Sequence, residues 1–172
     1  MKLTAAERAA FLTFAGALLA SPAVRRMEAF TQHGDTTCLH HCLAVAYLSF
    51  RLCRALRMDQ HWRSLVRGAL LHDFFLYDWH EKHAGHPLHG FTHPGTALRN
   101  ASRHFVLDDR ERDIIARHMW PLTPRLPRYR EAYIVCLADK ICSLRETFLS
   151  SPYRKMDREL DGLIPAGDTV SK

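Results

Sequence analysis

Three histidines and two aspartates stand where an unpaired polar side chain is expensive. His41 shares a helical face with Val45, Leu48 and Leu52. His72 and Asp73 close the apolar run Gly68-Ala69-Leu70-Leu71. His118 follows Ile114 and Ile115 at helical spacing, and Asp139 lies inside Ile134-Val135-Cys136-Leu137-Ala138. A carboxylate buried in such a run is costly unless it is paired or bound to a metal. One core histidine needs only a hydrogen bond, but several of them beside two acids on successive helices point to a metal centre. Imidazole and carboxylate together suit Fe, Mn, Zn, Co or Ni and do not select among them.

The adjacent pair His72-Asp73 carries geometric information. Successive helical residues point about 100° apart, so the two cannot ligate alike from mid-helix. At a helix end both can reach one ion, or the aspartate can bridge two ions with its two oxygens. The other histidines read differently. His33, His40, His61 and His104 have ordinary surface or packing settings. His80, His83, His86 and His89 fall in a segment with two glycines and a proline, read as an ordered loop over residues 77–92. Their roles stay open between solvation and contact with a substrate.

His41, then His72-Asp73, then Asp139 resembles the H…HD…D pattern of the HD superfamily. The surrounding words match: His41-Cys42-Leu43-Ala44-Val45-Ala46, Gly68-Ala69-Leu70-Leu71-His72-Asp73 and Ala138-Asp139-Lys140. The resemblance covers residues 37–145 and implies an all-α, compact helical HD-domain bundle. His93, in Thr92-His93-Pro94, and His118, in Arg117-His118-Met119, fall where the binuclear branch places two more ligands. It thus implies two divalent ions, one held by His41, His72, Asp73 and Asp139, the other by Asp73, His93 and His118. From the residues alone, His93 also reads as a helix cap before Pro94. No glycine-tyrosine-proline signature is present, which argues against the cyclic-dinucleotide phosphodiesterase branch.

The activity implied is phosphoester hydrolysis of a small phosphate ester or nucleotide by a metal-activated water, with Asp73 and Lys140 in catalytic roles. A mixed-valent di-iron oxygenase acting on a small anion uses the same six ligands and is the alternative. A regulatory nucleotide-binding module with a structural metal is the second. The basic run Arg125-Leu126-Pro127-Arg128-Tyr129-Arg130 reads either as solvated loop charge or as a phosphate-attracting rim to the centre.

Helices must position these side chains, and their punctuation is legible. Thr4 and Glu7 form a capping box for a helix over 4–20, with Phe11, Phe14 and Leu18 at helical spacing; we read it as a packed helix, not a cleavable leader. Pro22 opens a short helix to about residue 30. Gly34-Asp35-Thr36 breaks the chain and offers caps for a long helix to Leu56. Further helices are expected over 61–73, from Pro94 to His104, from a cap at Asp108 to Trp120, on to Ser150 after Pro121, Pro124 and Pro127, and briefly after Pro152. Beyond Gly162 the tail is expected to fray. No strand alternation is visible.

Composition agrees with a soluble globular protein. The chain has 172 residues, of which 47% are hydrophobic, enough for one domain over 1–172 and few for two. No run of eighteen apolar residues exists, so no membrane contact is expected. The net charge of +6 fits a small anionic, phosphorylated substrate; basic and acidic residues are interspersed, so nucleic acid is not expected as a partner. The five cysteines are an odd number in apolar settings, read as reduced thiols in a cytoplasmic protein. Cys38 and Cys42 have no second pair at zinc spacing.

Overall fold

Helix starts lie close to where the caps predict them. The computed structural model describes residues 3–58, 60–77 and 89–160, without the side chains of His33 and His89. Helix α1 (Ala5–Leu19) begins at the Thr4/Glu7 capping box and buries Phe11, Ala15 and Leu18. Pro22 starts α2 (Pro22–Arg25), which tightens into a 3-10 turn (Arg26–Ala29). Thr37 caps α3 (Cys38–Ala55) by accepting the His40 amide at 3.2 Å. Helix α4 (Trp62–Leu71) ends just before the His72-Asp73 pair. Then come α5 (His89–His104), α6 (Asp109–Arg117), α7 (Arg130–Phe148) and α8 (Arg154–Glu159). Asp108 and Glu111 make a reciprocal capping box at the start of α6.

Two features depart from the sequence reading. Thr31–His33 (β1) and Thr36–Thr37 (β2) pair antiparallel across Gly34 and Asp35. Gly34 has a positive φ of 55°, which a two-residue hairpin loop requires at its first position. Strands of three and two residues are too short to display alternation, so the break was legible and the hairpin was not. The second departure is α5, which starts at His89 and carries Pro94 in its interior. As the sixth residue of α5, Pro94 cannot donate to the Gly90 carbonyl and its ring crowds that carbonyl, so the helix gives up one bond near its start. His93 is therefore a residue inside the helix, not its cap.

Helix α3 packs on α4 and α7, while α4 also meets α1 and α6. The core gathers Phe11, Phe50, Leu65, Leu70 and Ile114, all fully buried. Gly68 lets α4 and α6 approach closely, since a Cβ there would stand 2.8 Å from Ile114 Cδ1 and 3.1 Å from its Cβ. The same contact is braced by polar links. Buried Arg67 donates to Glu111 at 2.5 Å, and Ser64 donates to Asp108 at 2.6 Å. Among the described residues no helix is long and apolar enough to cross a membrane.

Candidate metal centre

Five helices and one turn deliver the six expected side chains to one place. His41 comes from the first turn of α3. His72 is the residue that closes α4, still in the right-handed helical region, and Asp73 follows it in a turn. This helix end lets neighbours in sequence face the same point, as their 100° offset would forbid in mid-helix. His93 arrives from α5, His118 closes α6, and Asp139 sits in the middle of α7. All six are buried.

Asp73 lies between two pairs of imidazoles. Its Oδ2 is 3.4 Å from His72 Nε2 and 3.9 Å from His41 Nε2. Its Oδ1 is 3.2 Å from His93 Nε2 and 3.4 Å from His118 Nε2. Asp139 joins the first group, its Oδ1 lying 3.2 Å from His41 Nε2 and 3.8 Å from His72 Nε2. Ligand atoms about 2.1 Å from one ion at ordinary coordination angles stand roughly 3.0–3.4 Å apart, close to these spacings. His93 and His118 Nε2 are 2.7 Å apart, a few tenths tighter, which a small ring rotation opens. His41, His72 and Asp73, and likewise Asp73, His93 and His118, thus form two groups able to hold a metal ion, sharing Asp73.

The outward ring nitrogens of three histidines are fixed. His41 Nδ1 lies 2.9 Å from both oxygens of Glu146. His72 Nδ1 lies 2.7 Å from the Ala69 carbonyl, and His118 Nδ1 lies 2.9 Å from the Ile115 carbonyl. A carbonyl accepts only from N–H, so Nδ1 of His72 and His118 carries the proton and Nε2 presents a lone pair inward when the ring is neutral. Buried Glu146 also accepts from Tyr153 Oη. Outer partners set tautomer and orientation here as they do for metal-binding histidines.

Charge is balanced within the cluster. Burial opposes the imidazolium of His41, but hydrogen bonds to Asp139 and Glu146 hold it well above the ordinary histidine range. His72 is likewise opposed by burial and held well above that range by the charge of Asp73. For Asp73, burial favours the acid form, yet the charges of His72 and His93 hold the carboxyl well below the usual carboxylate range. Asp139 is lowered too, against burial, by hydrogen bonds to His41 and His72. His118 falls below the histidine norm, chiefly because burial disfavours its charge.

Sequence reasoning missed two residues here. Gln32, on β1, donates from Nε2 to Asp73 Oδ2 at 2.6 Å, and its hairpin was not anticipated. Glu146 lies one turn beyond Ser143 on α7 and closes against α3; no motif includes it. Its signal was faint: an acid seven residues after Asp139 returns to the same helix face.

Other candidates lie elsewhere. Lys140 Nζ donates to the carbonyls of His118 at 3.3 Å and Cys136 at 3.4 Å, so it reaches the end of α6. His40 pairs with Asp157 at 2.9 Å, and His104 packs edge-on against Phe74. His80, His83 and His86, and Gly85 between them, lie outside the described residues. All five cysteines are buried and free, and burial pushes the Cys42 thiol well up, so it stays protonated. Comparisons with family models, curated proteins and solved structures gave no match.

Proposed function

We propose that the protein is a two-metal phosphohydrolase of the HD type acting on a small phosphate ester or nucleotide. The observation that carries this reading is the division of Asp73: one oxygen faces His41 and His72, the other His93 and His118. The donor set fits divalent transition metals. Buried His72 Nε2 and Asp73 Oδ1 make no well-aligned hydrogen bond, only ion-pair contacts of 3.2–3.8 Å, a state that a bound cation would improve. His41, His72, Asp73 and Asp139 would hold one ion, and Asp73, His93 and His118 the other. When bound, the ions supply a water of lowered pKa and positive charge for a phosphoryl group.

The chain's own side chains keep that arrangement ready. Glu146 orients the His41 ring, and Gln32 holds Asp73 Oδ2, fixing the rotation of the shared carboxylate. Lys140 fastens the His118 carbonyl to α7, and its ammonium offers a favourable charge at the C-terminus of α6. A catalytic part for Lys140 in this reading is through that charge beside the phosphate. Burial of all six ligands keeps bulk water from competing for them.

The test is metal analysis of anaerobically purified protein with electron paramagnetic resonance, followed by turnover of nucleotides, phosphomonoesters and phosphonates with Mn, Co, Ni or Fe. Phosphate release that needs metal supports the reading. Turnover that survives chelation, or persists in His72→Ala, places the chemistry elsewhere. A mixed-valent di-iron signal with oxygen-dependent turnover of a small anion replaces hydrolysis by oxygenation.

A further inference from the structure

The basic run 125–130, which the sequence left between solvated loop charge and a rim for the metal centre, divides in space. Arg128, Tyr129 and Arg130 line an open cavity of about 640 Å³ together with Arg57, His61 and Arg110. This cavity lies at the other end of the bundle. On α4 it touches the residue before the first turn, while His72 closes the last; eleven residues of helix separate them, about 16 Å. On α7 it touches the first turn, nine residues or about 13 Å before Asp139. On α3 it touches Leu56, fifteen residues or about 22 Å beyond His41.

We infer that this cavity is a second site, which binds a small phosphorylated anion carrying at least two charges. Four guanidinium groups meet one carboxylate there, Glu131, and that carboxylate is buried and already held by Arg110 at 3.0 Å. Arg110 also lies over the Tyr129 ring at 4.5 Å, which fixes its plane. Among the described residues, Arg57, Arg128 and Arg130 form no ion pair, and all three face one concavity. Asp59 lies outside the described residues. Guanidinium forks match phosphate oxygens two at a time, and several around one cleft suit a di- or polyphosphate better than a single carboxylate. The cavity volume is that of a small-ligand pocket, roughly 300–1,000 Å³, and the arginines ring a cleft; they do not track along a helix as a nucleic-acid footprint does. Helix α4 begins at this cavity without a side-chain cap, which adds positive potential there, whereas at α7 the Asp113 carboxylate accepts the Arg128 and Tyr129 amides and offsets it.

The experiment is calorimetric titration of the purified full chain with inorganic pyrophosphate and with ADP. It is repeated on His118→Ala, which damages the metal centre, and on the double variant Arg128→Gln/Arg130→Gln, whose exposed side chains leave the core intact. Arg57→Gln is a third, independent probe. Saturable binding should persist in His118→Ala and weaken by about tenfold or more in the arginine variants, the scale of one or two lost charge-assisted hydrogen bonds. Circular dichroism confirms that each variant is folded. Absence of saturable binding by both probes overturns the inference. So does loss of binding in His118→Ala with the arginine variants unchanged, which assigns the anion to the metal centre. A short oligonucleotide that outcompetes both probes overturns it in favour of nucleic acid. Because these readouts need no turnover, the inference can fail while the hydrolase reading stands, and the reverse.

Discussion

At the scale of single residues, Asp73 does what no other ligand does: each of its oxygens faces a different pair of imidazoles. Asp73→Ala is therefore expected to empty both metal positions, whereas His118→Ala empties chiefly the one it shares with His93. Metal-to-protein ratios on the two purified variants distinguish these outcomes; equal losses would refute the shared carboxylate. Glu146→Gln keeps a hydrogen-bonding group against His41 but removes its charge, and metal affinity should fall by roughly 10–100-fold. Competition with a chromophoric chelator measures this, and unchanged affinity would reduce Glu146 to a packing role. Protons must also leave the centre. His41 and His72 hold theirs above the ordinary range, His41 through its hydrogen bonds to Asp139 and Glu146 and His72 through the charge of Asp73, and ligation needs neutral Nε2. Metal uptake should release protons, and apparent affinity should climb as pH rises toward those raised values. Calorimetry in buffers of different ionisation enthalpy reads the proton count. In the metal-free protein the sign reverses: stability from the same two charges is full below the ordinary histidine pKa of about 6.5 and fades as pH rises through the folded values.

At the scale of elements, the centre depends on how closely α4 and α6 approach. His72 closes one and His118 the other, and Gly68 sits at their contact with Ile114. Gly68→Ala gains about 1 kcal/mol of helix propensity. It must also push back Ile114, whose Cδ1 and Cβ would lie 2.8 and 3.1 Å from the added Cβ, inside van der Waals contact, and overpacking of this kind costs about 1–3 kcal/mol. The larger Gly68→Val should cost more and should weaken metal binding as the two helix ends part. Chemical denaturation with metal titration checks both; a Gly68→Val protein as stable and as metal-loaded as the parent would remove this close approach from the account.

At the scale of the whole molecule, the candidate metal centre draws on five helices and the turn after α4, so metal binding is expected to be coupled to folding. Loading should raise the unfolding temperature, by the equivalent of about 2.7 kcal/mol at a hundredfold excess over Kd. Chelation should reverse it. Differential scanning calorimetry with and without Mn or Fe provides the measurement, and a transition indifferent to metal would contradict a centre built across the bundle. The exposed positions Leu137, Leu144 and Phe148 show that α7 is apolar on its outer side too.

The candidate side chains, their order and the helices carrying them were legible because burial of a charged group in an apolar run has few chemical excuses, and because caps such as Thr4 and Asp108 are local, whereas the cap of α3 fell on Thr37, one residue past the expected Gly34-Asp35-Thr36. The capping boxes formed by Thr4 with Glu7 and by Asp108 with Glu111 needed nothing distant to be read. What only the tertiary structure decided is long-range. Gln32 meets Asp73 across 41 residues, and Glu146 meets His41 across 105. Neither contact has a spacing rule, because the packing of α3 against α7 and the placement of the β1–β2 hairpin create them. The same holds for Arg128 and Arg130: their charge was plain in the sequence, but which end of the bundle they serve was set by the direction in which α7 runs.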